Sequence, residues 1–284
     1  MNNGKRWFRI SLILMMILPL VVTGLAFKTL ATTETADLVI GTPLVITPTK
    51  TALATAVPPT PAPDPNDLYA AAIAAYQGGE FAQAETLLRQ TLALVPEEAD
   101  VYNSLGLTLA QQNRLGEAVA AYETAVALNP ALAEAHYNLG AVYQSQERWP
   151  AAEAAYRAAS AADAGFALAY NGLGDVHQEQ SQPEAALAAY QQAAALQPDL
   201  AVIQRNLGLV YAQLGELDKA AAVLETAVAL EPDYAPAHYD LAIVYANQGN
   251  TTLARRHLEH VLALEPVGTP LATAAVEQLA RLAP

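Results

Sequence analysis

Apolar residues recur along this chain with a short period and a long one. The stretch "LNPALAEAHYNLGAVY", Leu128 to Tyr143, reads as a helix entered after a proline, with Gly140 in its interior. The stretch "LQPDLAVIQRNLGLVY", Leu196 to Tyr211, repeats it 68 residues later, twice 34. Prolines 96, 130, 198, 232 and 266 keep a strict spacing of 34, with Ala164 in the one empty slot. A fixed period of this length marks a stack of small helical units.

With each proline at position 32, the units are 65–98, 99–132, 133–166, 167–200, 201–234 and 235–268. Position 7 is leucine in five units, position 8 reads Ala72, Gly106, Gly140, Gly174, Gly208 and Ala242, and position 20 is alanine in all six. Thirty-four residues hold two helices: a first over about positions 2 to 14, a turn such as "QGGE" or "QLGE", and a second that ends before the proline. Glycine costs a helix interior roughly 1 kcal/mol. That cost is offset if position 8 lets the second helix, at Ala152 and its equivalents, approach closely. Proline cannot continue the second helix, because it lacks an amide and clashes with the preceding turn; in the third unit Gly165 is expected to supply the break. Pro150 and Pro183 open second helices, where a missing amide is harmless. Large residues fill positions 11 and 24, Tyr143, Tyr211, Tyr122, Tyr156 and Tyr190 among them. One helix pair cannot bury these, whereas stacked pairs share a core. The tail from 269 to 284, with Thr269 as N-cap and Pro270 after it, reads as a helix capping the stack.

Upstream the pattern changes twice. Residues 10–27 carry no charge and follow Lys5, Arg6 and Arg9. Eighteen residues give about 27 Å of helix, enough to enter a bilayer. Segment 1–27 is therefore expected to be an uncleaved membrane anchor with the rest of the chain outside the cytoplasm; removal near Gly24-Leu25-Ala26 would instead leave a secreted or periplasmic protein. Residues 28–64 are rich in proline and threonine and read as a disordered linker holding the repeats clear of the membrane.

Charge and chemistry narrow the function. Residues 64–284 hold nine Lys/Arg against 26 Asp/Glu, which argues against nucleic-acid binding. With no cysteine there is no thiolate chemistry. "HLEH" sets His257 and His260 three apart on a second helix, a spacing seen in metal sites, but no third ligand is evident and that face is expected to be convex and wet. His177, His136 and His238 fall at packing positions. No nucleophile turn or phosphate loop is present, so the reading is of a chain with no catalytic residues, cofactor or metal.

Position 8 glycine, position 20 alanine and position 32 proline, together with Tyr102 and Tyr170 at position 4, Ala125, Ala159, Ala193 and Ala227 at position 27 and the aromatic positions 11 and 24, resemble the tetratricopeptide repeat family over residues 65–268. His136, Gln204 and His238 depart from the aromatic at position 4. The resemblance implies an all-α, right-handed superhelical solenoid of six helix-turn-helix units whose first helices line a concave groove that binds proteins or extended peptides. Positions 2, 5, 6, 9, 12 and 13 would face that groove. Candidate binding residues are Asn103, Tyr137, Asn138, Asn171, Asp175, Arg205, Asn206, Tyr239 and Asp240. Side-chain amides offer donor and acceptor to a peptide backbone; the other reading of the same asparagines is that they solvate the helix face or bond between neighbouring helices. Asp100, Glu134, Asp175, Glu179 and Asp240 oppose one basic residue, Arg205, so a neutral or basic segment is expected in preference to an acidic one. The function expected is a membrane-tethered scaffold or adaptor of a bacterial cell envelope. Its rivals are a self-assembling structural component and an accessory subunit of an envelope enzyme complex.

Overall fold

A computed structural model describes residues 63–282. The apolar segment 10–27 and the proline- and threonine-rich tract through residue 62 lie outside the described residues. Within them no helix is long and apolar enough to cross a membrane.

Thirteen helices follow one another among the described residues, with no strand. They are α1 (Pro65–Gln77), α2 (Phe81–Leu94), α3 (Ala99–Gln111), α4 (Leu115–Leu128), α5 (Ala133–Ser145), α6 (Trp149–Ala162), α7 (Ala167–Glu179), α8 (Pro183–Leu196), α9 (Ala201–Gln213), α10 (Leu217–Leu230), α11 (Ala235–Asn247), α12 (Thr251–Leu264) and α13 (Pro270–Arg281). First helices occupy positions 1 to 13, one residue earlier than the pattern suggests, and second helices positions 17 to 30.

Two devices define the 34-residue unit. Position 15 takes the left-handed conformation in every repeat: Gly79, Asn113, Glu147, Ser181, Gly215 and Gly249 have φ of 58 to 79°. The amide of that residue and the next one fold back onto the first helix, as when Ser181 N–H donates to Gln178 O and Gln182 N–H to His177 O, which satisfies the last carbonyls of that helix. At the other end the residue before proline is barred from the helical region: Asn129 and Glu231 sit at ψ 90°, and Asp163, which precedes Ala164, is extended as well at ψ 105°. The third repeat, without its proline, makes the break with Asp163 rather than Gly165. Asp163 Oδ1 accepts from Gly165 N–H at 2.8 Å, and Gly165 is not among the positive-φ residues.

The core also corrects one expectation. The glycines at position 8 do not make room for the alanines at position 20. A Cβ on Gly106 would lie 2.5 Å from the Tyr122 ring, on Gly140 2.7 Å from Tyr156, on Gly174 2.4 Å from Tyr190, and on Gly208 2.5 Å from Leu224. The partner is therefore position 24 of the same repeat, whose large side chain lies flat across the first helix. Its burial, complete or nearly so in all six repeats, stabilises each unit by about 1.5–3 kcal/mol. The position-20 alanines are fully buried; Ala152 belongs to a cluster with Leu173 and Val176 of the following repeat.

First helices of successive repeats touch one another, α1 with α3 through to α11 with α13, whereas second helices pack on the first helices beside them. This asymmetry puts the first helices on the inner wall. At the end of the stack α13, capped by Thr269 Oγ1 accepting from Ala272 N–H at 3.2 Å, packs on α12 and α11.

Candidate functional site

The inner wall is organised by a ladder of side chains. Position 5 of one repeat meets position 6 of the next, always 35 residues on. Tyr69 OH donates to Ser104 Oγ at 2.7 Å, Ser104 having given its own proton to Asp100 O. Asn138 Nδ2 donates to Asn103 Oδ1 at 2.9 Å, Asn206 Nδ2 to Asn171 Oδ1 at 3.1 Å, and Arg205 Nε to Asp240 Oδ2 at 2.5 Å. Of the nine predicted site residues, six are thus bonded in pairs across repeats. Asn103 and Asn138 are buried, 0% and 3% exposed, so the polar edge imagined for a peptide is turned largely into the stack. Tyr69 and Ser104 were missed by the sequence reading, because a tyrosine opposite a serine carries no complementary signature.

The remaining rung is different. Opposite Tyr137 stands Gly172, where a Cβ would lie 2.6 Å from the Tyr156 ring. Tyr156, already against Gly140, is therefore held between two first helices, with Tyr137 beside it at a ring separation of 5.6 Å. Burial, and then the field of Asp175, push the Tyr137 hydroxyl up to about 12.

Asp175 lies one turn beyond Gly172 on α7. Its Oδ1 accepts from Tyr190 OH at 2.6 Å and from Asn206 Nδ2 at 3.2 Å, and its Oδ2 from Asn171 Nδ2 at 3.4 Å. Burial raises its carboxyl to about 6, against the lowering effect of bonds from Tyr190 and Gln144 and the attraction of Arg205. Desolvation outweighs the two hydrogen bonds and the nearby guanidinium, which marks a carboxylate held where charge is costly. Tyr239 lies apart from this group, partly buried beside Ala242, Leu258 and α13. Glu179 and Gln213 line the exposed end of the wall, while Leu107, Ala141, Leu209 and Ile243, in the same row as Asp175, are half-buried.

Position 4 has its own rule. His136 Nε2 at 3.1 Å, Gln204 Nε2 at 2.8 Å and His238 Nε2 at 2.8 Å all bond the carbonyl of the proline six residues earlier. The departures from an aromatic here are thus side chains that donate to the inter-repeat turn. His238 also reaches His257, Nδ1 to Nδ1 at 2.8 Å. The expectation of a wet, isolated His257–His260 pair is corrected: His257 is half-buried, and a third imidazole meets the pair from α11. Burial, then His238, push His257 down to about 4.

Stacked helix pairs with first helices on the inner wall define a helical-repeat solenoid. Tetratricopeptide repeat models match residues 107–147, 179–215 and 210–249, and a further one residues 68–90. The repeats of this chain are therefore tetratricopeptide repeats. Among solved structures it is similar to the APC/C hetero-tetramer Cut9-Hcn1, at 22% identity and TM-score 0.68, over 78% of this chain and 43% of that one. It thus spans less than half of that chain's length. It is similar to PilF of Pseudomonas aeruginosa at 17% identity and TM-score 0.67, over 75% of this chain and 97% of that one. It is similar also to YrrB, described as a TPR protein with an unusual peptide-binding site, at 26% identity and TM-score 0.52, over 67% and 97%. No curated protein matches it.

Proposed function

We propose that the protein is a scaffold whose inner wall holds an extended, neutral or basic segment of a partner protein. The observation that carries this reading is the fate of the wall's cation. Arg205 is the single Lys or Arg at positions 2, 5, 6, 9, 12 and 13 of the six repeats, and it is bonded to Asp240. The carboxylates Asp100, Glu134, Asp175 and Glu179 then set the sign of the surface, and a like charge laid against them would be repelled. Half-buried Leu107, Leu209 and Ile243 add apolar area beside them.

That YrrB is described as having a peptide-binding site supports a peptide as the ligand of such repeats. In this reading the scaffold is tethered through residues 10–27 with its repeats outside the cytoplasm. The full-length chain should bind fluorescent lysine-containing peptides more tightly than glutamate-containing ones of the same length, and Glu134→Lys with Glu179→Lys should reverse that order. Equal binding of both peptides, or an order unchanged by the double substitution, rejects the reading. Because the chain has no cysteine, a single Ser181→Cys reports topology: an impermeant maleimide should label it in intact cells, and labelling only after lysis rejects the exported orientation.

A further inference from the structure

Three of the chain's five histidines meet near the C-terminal end of the stack, well away from the Asp175 centre of the inner wall. His238 comes from α11, His257 and His260 from α12. The His238 ring centre lies 5.1 Å from that of His257 and 4.3 Å from that of His260. Together they line a cavity of about 530 Å³, with Arg256 and Glu259 beside them.

The hydrogen bonds determine which ring nitrogens carry lone pairs. Pro232 O has no proton to give, so His238 Nε2 at 2.8 Å and His260 Nε2 at 3.2 Å are both N–H donors to it. In a neutral imidazole that leaves Nδ1 as the acceptor. His238 Nδ1 faces His257 Nδ1 at 2.8 Å, so the single proton between them belongs to His257. A backbone carbonyl that holds the far nitrogen of an imidazole is the usual outer support of a metal-ligating histidine, since it orients the ring and raises its basicity.

We propose that His238 Nδ1 and His257 Nδ1, with His260 as the third imidazole, bind a divalent late transition metal. On metal entry the His257 proton moves to its Nε2, so no proton is lost. Imidazole nitrogens suit Cu²⁺, Ni²⁺ and Zn²⁺ alike, and Cu²⁺ is the member of that class whose nitrogen ligands can be counted spectroscopically. Among the described residues no three potential ligands already converge on one point. The His238–His257 pair is thus the part already brought together, its mutual hydrogen bond giving way to the ion, and His260, exposed on α12, joins by giving up its bond to Pro232 O and turning about its side-chain bonds. Glu259 supplies negative charge at the rim against Arg256.

The test is titration of the full-length chain with Cu²⁺ followed by electron paramagnetic resonance. One equivalent should bind and show coupling to at least two imidazole nitrogens. His257→Ala should weaken binding at least tenfold, as should His260→Ala, while His177→Ala, whose histidine bonds Gln182 within the fourth repeat, should change nothing. A signal from oxygen ligands alone, or an affinity untouched by both substitutions, overturns the site. The wild-type nitrogen count decides the matter even if His257→Ala does not fold.

Discussion

Asn138 Nδ2 reaches Asn103 Oδ1 at 2.9 Å between two buried side chains that stand 35 residues apart, on the first helices of consecutive repeats. Asn103 Nδ2 is itself buried with no partner, so this amide already carries one unmet donor. Asn138→Ala would leave its oxygen unmet as well, at about 1–3 kcal/mol. Read from sequence, position-6 asparagines that face a groove would be replaceable without thermal cost. The geometry reverses that expectation. Urea melts of Asn103→Ala, Asn138→Ala and the double variant should show a double loss smaller than the sum of the singles by at least about 0.5 kcal/mol. Strict additivity would mean that the pair does not interact in solution.

Glycine substitutions should divide by position. Gly140→Ala drives a methyl to 2.7 Å from the Tyr156 ring, and Gly172→Ala approaches the same ring from its other neighbour. Each should destabilise by about 1–3 kcal/mol. Gly116, in the first turn of α4, has open space around it, so Gly116→Ala should stabilise by about 0.5–1 kcal/mol. Thermal unfolding that shifts in the same direction for all three would contradict the packing described.

The turn after each first helix invites the opposite change. Glu147 and Ser181 hold φ of 58°, where a side chain costs roughly 1–2 kcal/mol that glycine avoids. Glu147→Gly and Ser181→Gly should therefore each raise the unfolding free energy, by about 0.5–1 kcal/mol once the added chain entropy is counted. Gly215→Ala, at φ 78°, should lower it by about 1 kcal/mol. Unchanged midpoints in urea for all three variants would show that the left-handed turn carries no strain.

Asp175 gives the stack a dependence on pH. Its carboxyl holds a proton up to about 6 when folded, but only to about 3.9 when unfolded. Between those values the folded state binds more protons, so stability falls as pH rises from about 4 to 6 and is level above. Asp175→Asn should remove that slope and, by taking away the desolvated charge, raise stability at pH 8. A variant that unfolds more easily than wild type at pH 8 would show that the charged carboxylate is stabilising.

Much of the fold was legible because small and large residues repeat at fixed positions, and each repetition supports the others. Gly140, Ala152 and Tyr156 all proved to be core positions, yet their pairing was misread. One sequence shows that a glycine is needed without showing which neighbour needs it, and a flat ring four residues beyond the alanine filled the space. The asparagines lie on first helices, as the period predicts, but whether Asn138 looks outward or sideways depends on helix crossing, which composition does not encode. The meeting of His238 with His257 was hidden for the same reason, since their proximity arises from packing between helices 19 residues apart.

The rungs have a consequence for how such a chain can be rearranged. Hydroxyl meets hydroxyl, amide meets amide, guanidinium meets carboxylate, and tyrosine meets bare backbone, so equal length does not make the units interchangeable. Swapping the fourth and sixth would set Tyr137 against Asp240, and would part Arg205 from its counter-ion. Each module therefore has an address, and the order of the modules is written into their seams.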